Sequence, residues 1–165
     1  MDNDKIIERK KNQYFIFFVL TIFILYTLFN VFFEVGRVAG DSMYPSLLDK
    51  DIEISIKAKF KDINRGDIVN INSSYLNESL VKRVIALEGD IIEIKENGIY
   101  INGEHLEEPY IYNSKNAPYD IGFYMVVPKG YVFVLGDNRH NSKDSRDIGC
   151  INKKEIRSIL LLHIR

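Results

Sequence analysis

The sequence predicts a mostly β fold, an antiparallel folded-sheet or barrel-like domain that follows a single N-terminal transmembrane helix. Three observations support this prediction. Residues 14–33 contain no charged side chain over 20 positions. After residue 34, short segments rich in β-branched residues alternate or run apolar at strand length. Turn signals at Asn97-Gly98 and at residues 128–130 separate two pairs of those segments.

The uncharged segment is long enough to cross a bilayer. At about 1.5 Å rise per residue, a helix of this length spans roughly 30 Å, the thickness of the hydrocarbon core. A buried core helix would have a polar face, which this segment lacks. A cleavable signal peptide would be followed by small residues at its cleavage site. Residues 34–37, Glu-Val-Gly-Arg, follow instead, so the sequence predicts a retained anchor.

The charges that flank the anchor predict its orientation. Four basic residues precede it: Lys5, Arg9, Lys10 and Lys11. The residues just after it contribute only Glu34 and Arg37. The positive-inside rule therefore predicts a cytoplasmic N-terminus over residues 1–13, a transmembrane anchor over 14–33 and an extracytoplasmic β-rich domain over 34–165 in the cell membrane.

The strands of the outer domain can be predicted in order. The candidate segments are residues 51–57, 67–71, 80–87, 91–95, 99–101, 123–127, 131–135 and 156–164. The Asn97-Gly98 pair between two of them is a strong hairpin signal. Residues 156–164 are predicted to close the sheet as its last strand. Residues 107–120, rich in Tyr, Asn and Pro, predict a loop.

Composition excludes several classes of function. The 22 basic and 23 acidic residues nearly balance, so no nucleic-acid footprint is expected. The single cysteine, Cys150, cannot form an internal disulfide or a Cys-rich metal site. It is interpreted as a small buried or half-buried side chain. No cofactor, metal or obligate protein partner is predicted.

Two short motifs contain a candidate nucleophile and a candidate base. Ser42 follows a glycine-containing turn and precedes Pro45, which favours a constrained, exposed backbone; most serines in such turns have no catalytic role. Lys82 lies in an apolar strand, on the face of Leu80 and Val84. Such a lysine usually extends its ammonium to water. Alternatively it is desolvated, and its lowered pKa lets it accept a proton from a serine hydroxyl.

A third motif, residues 136–149, combines glycines at both ends with many charged side chains. It is interpreted either as a solvated loop or as a rigid polar scaffold in which Asp144 and Arg146 form a charge-assisted pair. A fourth motif, Arg65-Gly66-Asp67, is interpreted as a structural turn that leads into a strand.

In this order, the anchor and the motifs SMYPSL, RGDIV, KRVIALEGD and GDNRHNSKDSRDIG resemble the type I signal peptidase family. The resemblance covers essentially the whole chain and is closest to the compact form found in Gram-positive bacteria. It implies Ser42 as the nucleophile, Lys82 as the general base and Ser142 as the hydroxyl that orients the lysine amine. It also implies that Asp144 and Arg146 form a structural ion pair near the site.

The resemblance further implies a membrane-bound serine endopeptidase with a Ser–Lys dyad. Its substrates would be exported preproteins with small residues one and three positions before the cut, processed at the outer face of the membrane in contact with lipid. Some members have an oxyanion-binding serine two residues before the nucleophile, where this chain has Gly40. The backbone N–H of Ser42 then remains as one oxyanion donor, and the second donor is unassigned.

Three other interpretations are compatible with parts of the sequence. A Ser–His–Asp hydrolase would need a histidine base, for which His140 is the best of the three histidines. A single-span receptor or adaptor would need no catalytic residues, so Ser42 and Lys82 in their motifs count against it. A self-cleaving Ser–Lys protease would not need an outward-facing anchor.

Overall fold

The computed structural model describes residues 2–111 and 122–165, which divide into two compact units, 1–33 and 34–165. The first unit is the helix α1, Asp2–Phe32. It contains a span long and apolar enough to cross a membrane, Ile7–Phe32, whose most apolar 18-residue window has a mean hydropathy of 2.4. The helix begins well before the predicted anchor, since the charged residues ahead of residue 14 continue the same helix.

Polar side chains inside α1 satisfy their own hydrogen bonds. Thr21 donates to the Phe17 carbonyl at 2.9 Å, and Asn30 donates to the Tyr26 carbonyl at 2.8 Å. Each contact lies one helical turn back, the usual arrangement for such side chains in a helix. These residues therefore place no unpaired donor in the apolar segment.

The second unit confirms the prediction of a mostly β fold. Its strands are β1 (Phe33–Arg37), β2 (Ile52–Lys57), β3 (Ile68–Ser73), β4 (Glu78–Leu87), β5 (Ile91–Lys95), β6 (Gly98–Ile101), β7 (Glu104–His105), β8 (Phe123–Val126), β9 (Tyr131–Leu135), β10 (Ile151–Asn152) and β11 (Ile156–Ile164). They form a seven-stranded sheet in the order β1-β2-β11-β3-β4-β9-β10 and a four-stranded sheet in the order β7-β6-β5-β8.

The last strand occupies the middle of the larger sheet. β11 pairs antiparallel with both β2 and β3, with His163 opposite Glu53 and Ile159 opposite Val69. The prediction that residues 156–164 form a strand is confirmed, but its expected place as the closing strand is wrong. Local pattern does not encode this insertion, because the pairing joins segments that are far apart in sequence.

Three apolar clusters hold the second unit together. One joins the two sheets and contains Phe133 and Ile92; a second lies against the larger sheet around Val69 and Ile159. The third fixes the segment after β1 through Met43 and Leu47. Burial of each such side chain contributes about 1.5–3 kcal/mol, so Met43 and Leu47 anchor this segment to the sheet.

Several short elements were not predicted from the sequence. They are β1, β7, β10, a helical turn at Ala58–Phe60, a second at Lys153–Glu155 and the four-residue helix α2, Ser145–Ile148. None is long enough to show a period of its own. Of the predicted loop, residues 107–111 contain a turn at 109–110, and residues 112–120 lie outside the described residues.

Candidate active site

Ser42 lies in the turn between β1 and β2 and is half-buried. Its neighbour Met43 is 1% exposed and packs in the third apolar cluster. The Ser42 carbonyl accepts a hydrogen bond from the backbone N–H of Asn138 at 3.0 Å, and the Leu47 N–H donates to the Met43 carbonyl at 2.9 Å. Both sides of the serine are therefore anchored, which fixes the direction of its hydroxyl.

Lys82 lies on β4 and is 3% exposed. Its Nζ is 2.8 Å from Ser42 Oγ and donates to the Val81 carbonyl at 2.9 Å. The register places Lys82 opposite Val69, at the centre of the larger sheet. The two residues that the sequence singled out, 40 positions apart, thus form a direct contact.

Burial changes the acid–base properties of this lysine. Desolvation disfavours the ammonium form and lowers the pKa of Lys82 from 10.5 to about 8, against the opposing effect of the Asp144 and Asp137 carboxylates. The direction is that expected of a lysine acting as a base, because a larger fraction of amines is neutral near pH 7.

The polar segment 136–149 lies beside the dyad because it follows β9. Leu135 pairs with Arg83, so the chain passes Lys82 immediately after β9 ends. At Gly136 the space is very tight: a Cβ there would collide with Ser142 Oγ and lie 2.6 Å from the Ser42 carbonyl oxygen. Only glycine fits this crossing. In the described part of the chain, Ser142 Oγ is buried and has no hydrogen-bond partner.

Asp144 and Arg146 form a two-pronged ion pair. Arg146 Nε is 2.8 Å from Asp144 Oδ1, and its Nη2 is 2.9 Å from Oδ2. Asp144 is fully buried, accepts from the Gly136 N–H at 3.0 Å and caps α2 in a capping box with Asp147. Arg146 also donates to the Arg139 carbonyl at 2.9 Å. These contacts tie both ends of the polar segment together.

Two further ion pairs near the dyad were not predicted from the sequence. Arg83 contacts Asp137 through Nε at 2.8 Å and Nη2 at 2.6 Å, and Arg139 pairs with Glu108 with both side chains nearly inaccessible. The partners are 54 and 31 positions apart. Arg83 follows Lys82 in the strand, and this adjacency was the only sequence signal.

The remaining candidates lie elsewhere. His105 contacts Glu107 and the Asn97 carbonyl in the smaller sheet, and His163 is 3.1 Å from Asp51. His140 is exposed. The contact to Ser42 Oγ comes from Lys82, which argues against the Ser–His–Asp alternative. Cys150 is half-buried and packs against the cluster between the sheets, where burial raises its pKa.

A cavity of about 200 Å³ opens beside the dyad. It lies between β1, β2, β3 and β4 and is bordered on one side by β11. The residues that reach it include Gly36, Ala39, Ser42, Glu53, Val81 and Lys82. Because Ser42 and Lys82 both line it, the cavity is a candidate binding site.

Comparison with known proteins identifies the family. The model of the signal peptidase family, peptidase S26, matches residues 11–161. A signal peptidase I of Bacillus amyloliquefaciens is 35% identical, over 93% of this chain and 86% of that protein. Signal peptidase I S of Bacillus subtilis is 36% identical, over 84% of this chain and 80% of that protein.

A solved structure agrees. The crystal structure of a signal peptidase I from Enterococcus faecalis is 31% identical and superposes with a TM-score of 0.54, covering 61% of this chain and 98% of that one. The family match over residues 11–161 includes both Ser42 and Lys82. The chain therefore belongs to the signal peptidase family, peptidase S26, a family of serine endopeptidases.

Proposed function

We propose that this peptidase cleaves signal peptides from exported preproteins with Ser42 as the nucleophile and Lys82 as the general base. The observation that carries the proposal is the 2.8 Å contact between Lys82 Nζ and Ser42 Oγ at a buried site. A surface lysine would remain charged at neutral pH and could not accept the serine proton. Here burial favours the neutral amine.

The chemistry proceeds by proton transfer and acyl transfer. The Ser42 hydroxyl passes its proton to the Lys82 amine while Oγ attacks the carbonyl carbon of the scissile bond. The backbone N–H of Ser42 stabilises the oxyanion. The Lys82 ammonium then protonates the leaving amine, and an acyl-enzyme on Ser42 remains. Water attacks this ester with Lys82 again accepting the proton, which restores the free serine.

Ser142 completes the orientation of the amine. A neutral amine has two N–H groups and one lone pair; the Val81 carbonyl accepts one N–H, and the lone pair faces the Ser42 hydroxyl. The second N–H needs an acceptor. Ser142 Oγ is buried beside Gly136 and, among the described residues, makes no hydrogen bond to Lys82 or to any other group. The proposal therefore requires a small shift of Ser142 that brings its Oγ to the amine as this acceptor. Asp144 and Arg146 hold the segment that carries Ser142 and take no part in proton transfer.

The expected substrates have small side chains one and three residues before the cut. The lining of the cavity supports this expectation, because Ala39 and Val81 present small side chains beside Ser42.

The proposed topology has a cytoplasmic N-terminus and the catalytic unit outside, next to lipid. The basic residues in the first part of α1, ahead of its apolar segment, support this orientation. Ser42 follows Phe33 by nine residues, so even an extended chain reaches only about 30 Å beyond the helix. A signal peptide exposes its cleavage site just beyond its own apolar segment, and both reactants are then confined to one surface.

Incubation of the full chain in detergent with a model preprotein tests the function. We expect one cleavage, and sequencing of the new N-terminus should place small residues one and three positions before the cut. Ser42→Ala protein is the matched control. Intact preprotein with the wild-type chain, or a cut at unrelated positions, would contradict the proposal.

A separate experiment tests the topology. Protease added to intact spheroplasts should degrade residues 34–165, whereas sealed inverted vesicles should protect them. The opposite pattern would place the catalytic unit in the cytoplasm and remove its access to exported substrates.

A further inference from the structure

The cavity beside the dyad contains a carboxyl group that the proposed chemistry does not use. Glu53 lies on β2, is 4% exposed and lines the same cavity as Ser42 and Lys82. Within residues 2–111 and 122–165, its Oε2 atom is buried and has no hydrogen-bond partner. A buried polar atom left unpaired in a folded protein requires an explanation.

The surroundings hold this carboxyl group in place. A Cβ at Gly36 would lie 2.7 Å from Glu53 Oε1, so glycine on β1 makes room for the carboxyl group. Asn70 also lines the cavity; its amide donates to the Ser55 and Ser158 hydroxyls at 3.2 and 3.1 Å and lies close enough to Glu53 to stabilise its carboxylate. Among the described residues, the Glu53 oxygen that stays without a partner is Oε2.

The charges around the cavity restrict what can bind there. Arg37 and Arg157 also line it, and Arg157 is 2.7 Å from Glu34. Burial and the Glu34 carboxylate raise the pKa of Glu53, whereas the Asn70 amide and Arg157 lower it. Two guanidinium groups at the same cavity repel a cationic side chain, which disfavours a lysine or arginine of the substrate.

We propose that Glu53 is a specificity-determining residue that pairs with the hydroxyl of a serine or threonine side chain within three positions before the cut. The proposal rests on the proposed function and refines its substrate class. A hydroxyl donates to an ionised carboxylate and accepts from a protonated carboxyl group, so it satisfies Oε2 in either state. Both side chains are short enough for the small cavity. An alanine at the same position leaves Oε2 unpaired, and sites with buried polar groups discriminate against such analogues.

Paired substrates test the proposal. Preproteins that differ only by serine or alanine at one of the three positions before the cut are incubated with the full chain in detergent. At one position, the wild-type kcat/KM should favour serine by about three- to tenfold, the effect of one hydrogen bond. Glu53→Leu should bring this ratio close to one, because it should slow cleavage of the serine substrate more than that of the alanine substrate. A purely structural role would lower both rates together and leave the ratio unchanged.

Two variants complete the design. Glu53→Gln keeps the shape and one acceptor oxygen, so the serine preference should be smaller than in the wild type but present; it carries the test if Glu53→Leu fails to fold. Glu93→Gln is the matched control, because Glu93 lies on β5 in the smaller sheet and pairs with Lys95. It should leave the ratio unchanged.

The outcomes separate this inference from the proposed function. Cleavage with the same serine-to-alanine ratio in wild type, Glu53→Leu and Glu53→Gln would overturn the role of Glu53 and leave the peptidase assignment standing. Absence of any cleavage would overturn the proposed function instead. Binding of the paired peptides to Ser42→Ala protein, with and without Glu53→Leu, then decides the inference, and equal binding ratios would refute it.

Discussion

A pH profile tests the state of Lys82 on which the mechanism depends. Burial lowers its pKa from 10.5 to about 8. At pH 7, about one-tenth of the amines are then neutral, compared with about 0.03% for a lysine with the ordinary pKa, a gain of about 300-fold. This difference corresponds to about 3 kcal/mol in favour of the neutral form.

The assay is the dependence of kcat/KM on pH, measured with the full chain in detergent and a preprotein peptide. The rate should rise about tenfold per pH unit at low pH and level off above about pH 8, because the base is then neutral. Burial raises the pKa of Tyr110 and of Cys150. Neither group therefore titrates in the pH range over which the rate rises. The midpoint is a macroscopic value for the site as a whole.

A profile that continues to rise through pH 10 would refute the reasoning, because Lys82 would then behave as a solvated lysine. Lys82→Arg serves as the control. Its guanidinium is protonated over the whole pH range of the assay. The variant should therefore have almost no activity, and its kcat/KM should not rise with pH.

The remaining predictions concern the dyad, its scaffold and its energetic cost. Ser42→Ala and Lys82→Ala should each abolish turnover, and the double variant should be no slower than either; appreciable turnover by Lys82→Ala would exclude the dyad. Arg146→Ala leaves the buried Asp144 unpaired and should destabilise the protein by about 3–5 kcal/mol in thermal unfolding; an inactive variant with unchanged Tm would indicate a direct catalytic role. Because the pKa of Lys82 is lowered in the folded protein, the unfolded state binds more protons than the folded state between about pH 8 and 10.5. The free energy of unfolding should therefore rise with pH across that window. Relative to Lys82→Met, the wild type should gain up to about 3 kcal/mol, and parallel stability curves would contradict the depressed pKa.

Local pattern predicted most of the fold. Alternating segments gave the long strands, and the anchor followed from length and the absence of charge. The order of the strands did not follow, because β11 enters between β2 and β3 through contacts far apart in sequence. The helix α2 has only four residues, and its sequence signal is the pair Asp144 and Asp147 in a capping box.

The strand β2 shows where alternation is misleading. Its residues alternate isoleucine with polar side chains, which normally places the isoleucines in the core. The structure has the opposite arrangement at two positions: Glu53 and Ser55 are buried, whereas Ile52 is 40% exposed. The polar face is buried because Glu53 lines the cavity and Ser55 accepts a hydrogen bond from Asn70, which lines it too. A violation of the pattern of this kind is typical of functional sites.

The motifs singled out Ser42 and Lys82, which the structure brings into contact, but they did not predict the packing around the two residues. Gly136 has no property in the sequence that separates it from other glycines, and only the crossing with Ser42 and Ser142 gives it a role. Likewise, Arg83 pairs with an aspartate 54 residues away. Such contacts depend on the register of β4 with β9, which no local signal encodes.

Two unfavourably buried groups of the catalytic unit, Lys82 and Glu53, meet at one cavity. Lys82 is held where its charged form is disfavoured, and Glu53 has an oxygen without a partner in the described part of the chain. A bound peptide substrate would reduce the energetic cost of burying both groups. A bound substrate excludes water and further favours the neutral amine, and a substrate hydroxyl would pair with Glu53. The apolar clusters of the unit supply the stability that permits this arrangement, and substrate binding can offset the cost of both groups at the cavity.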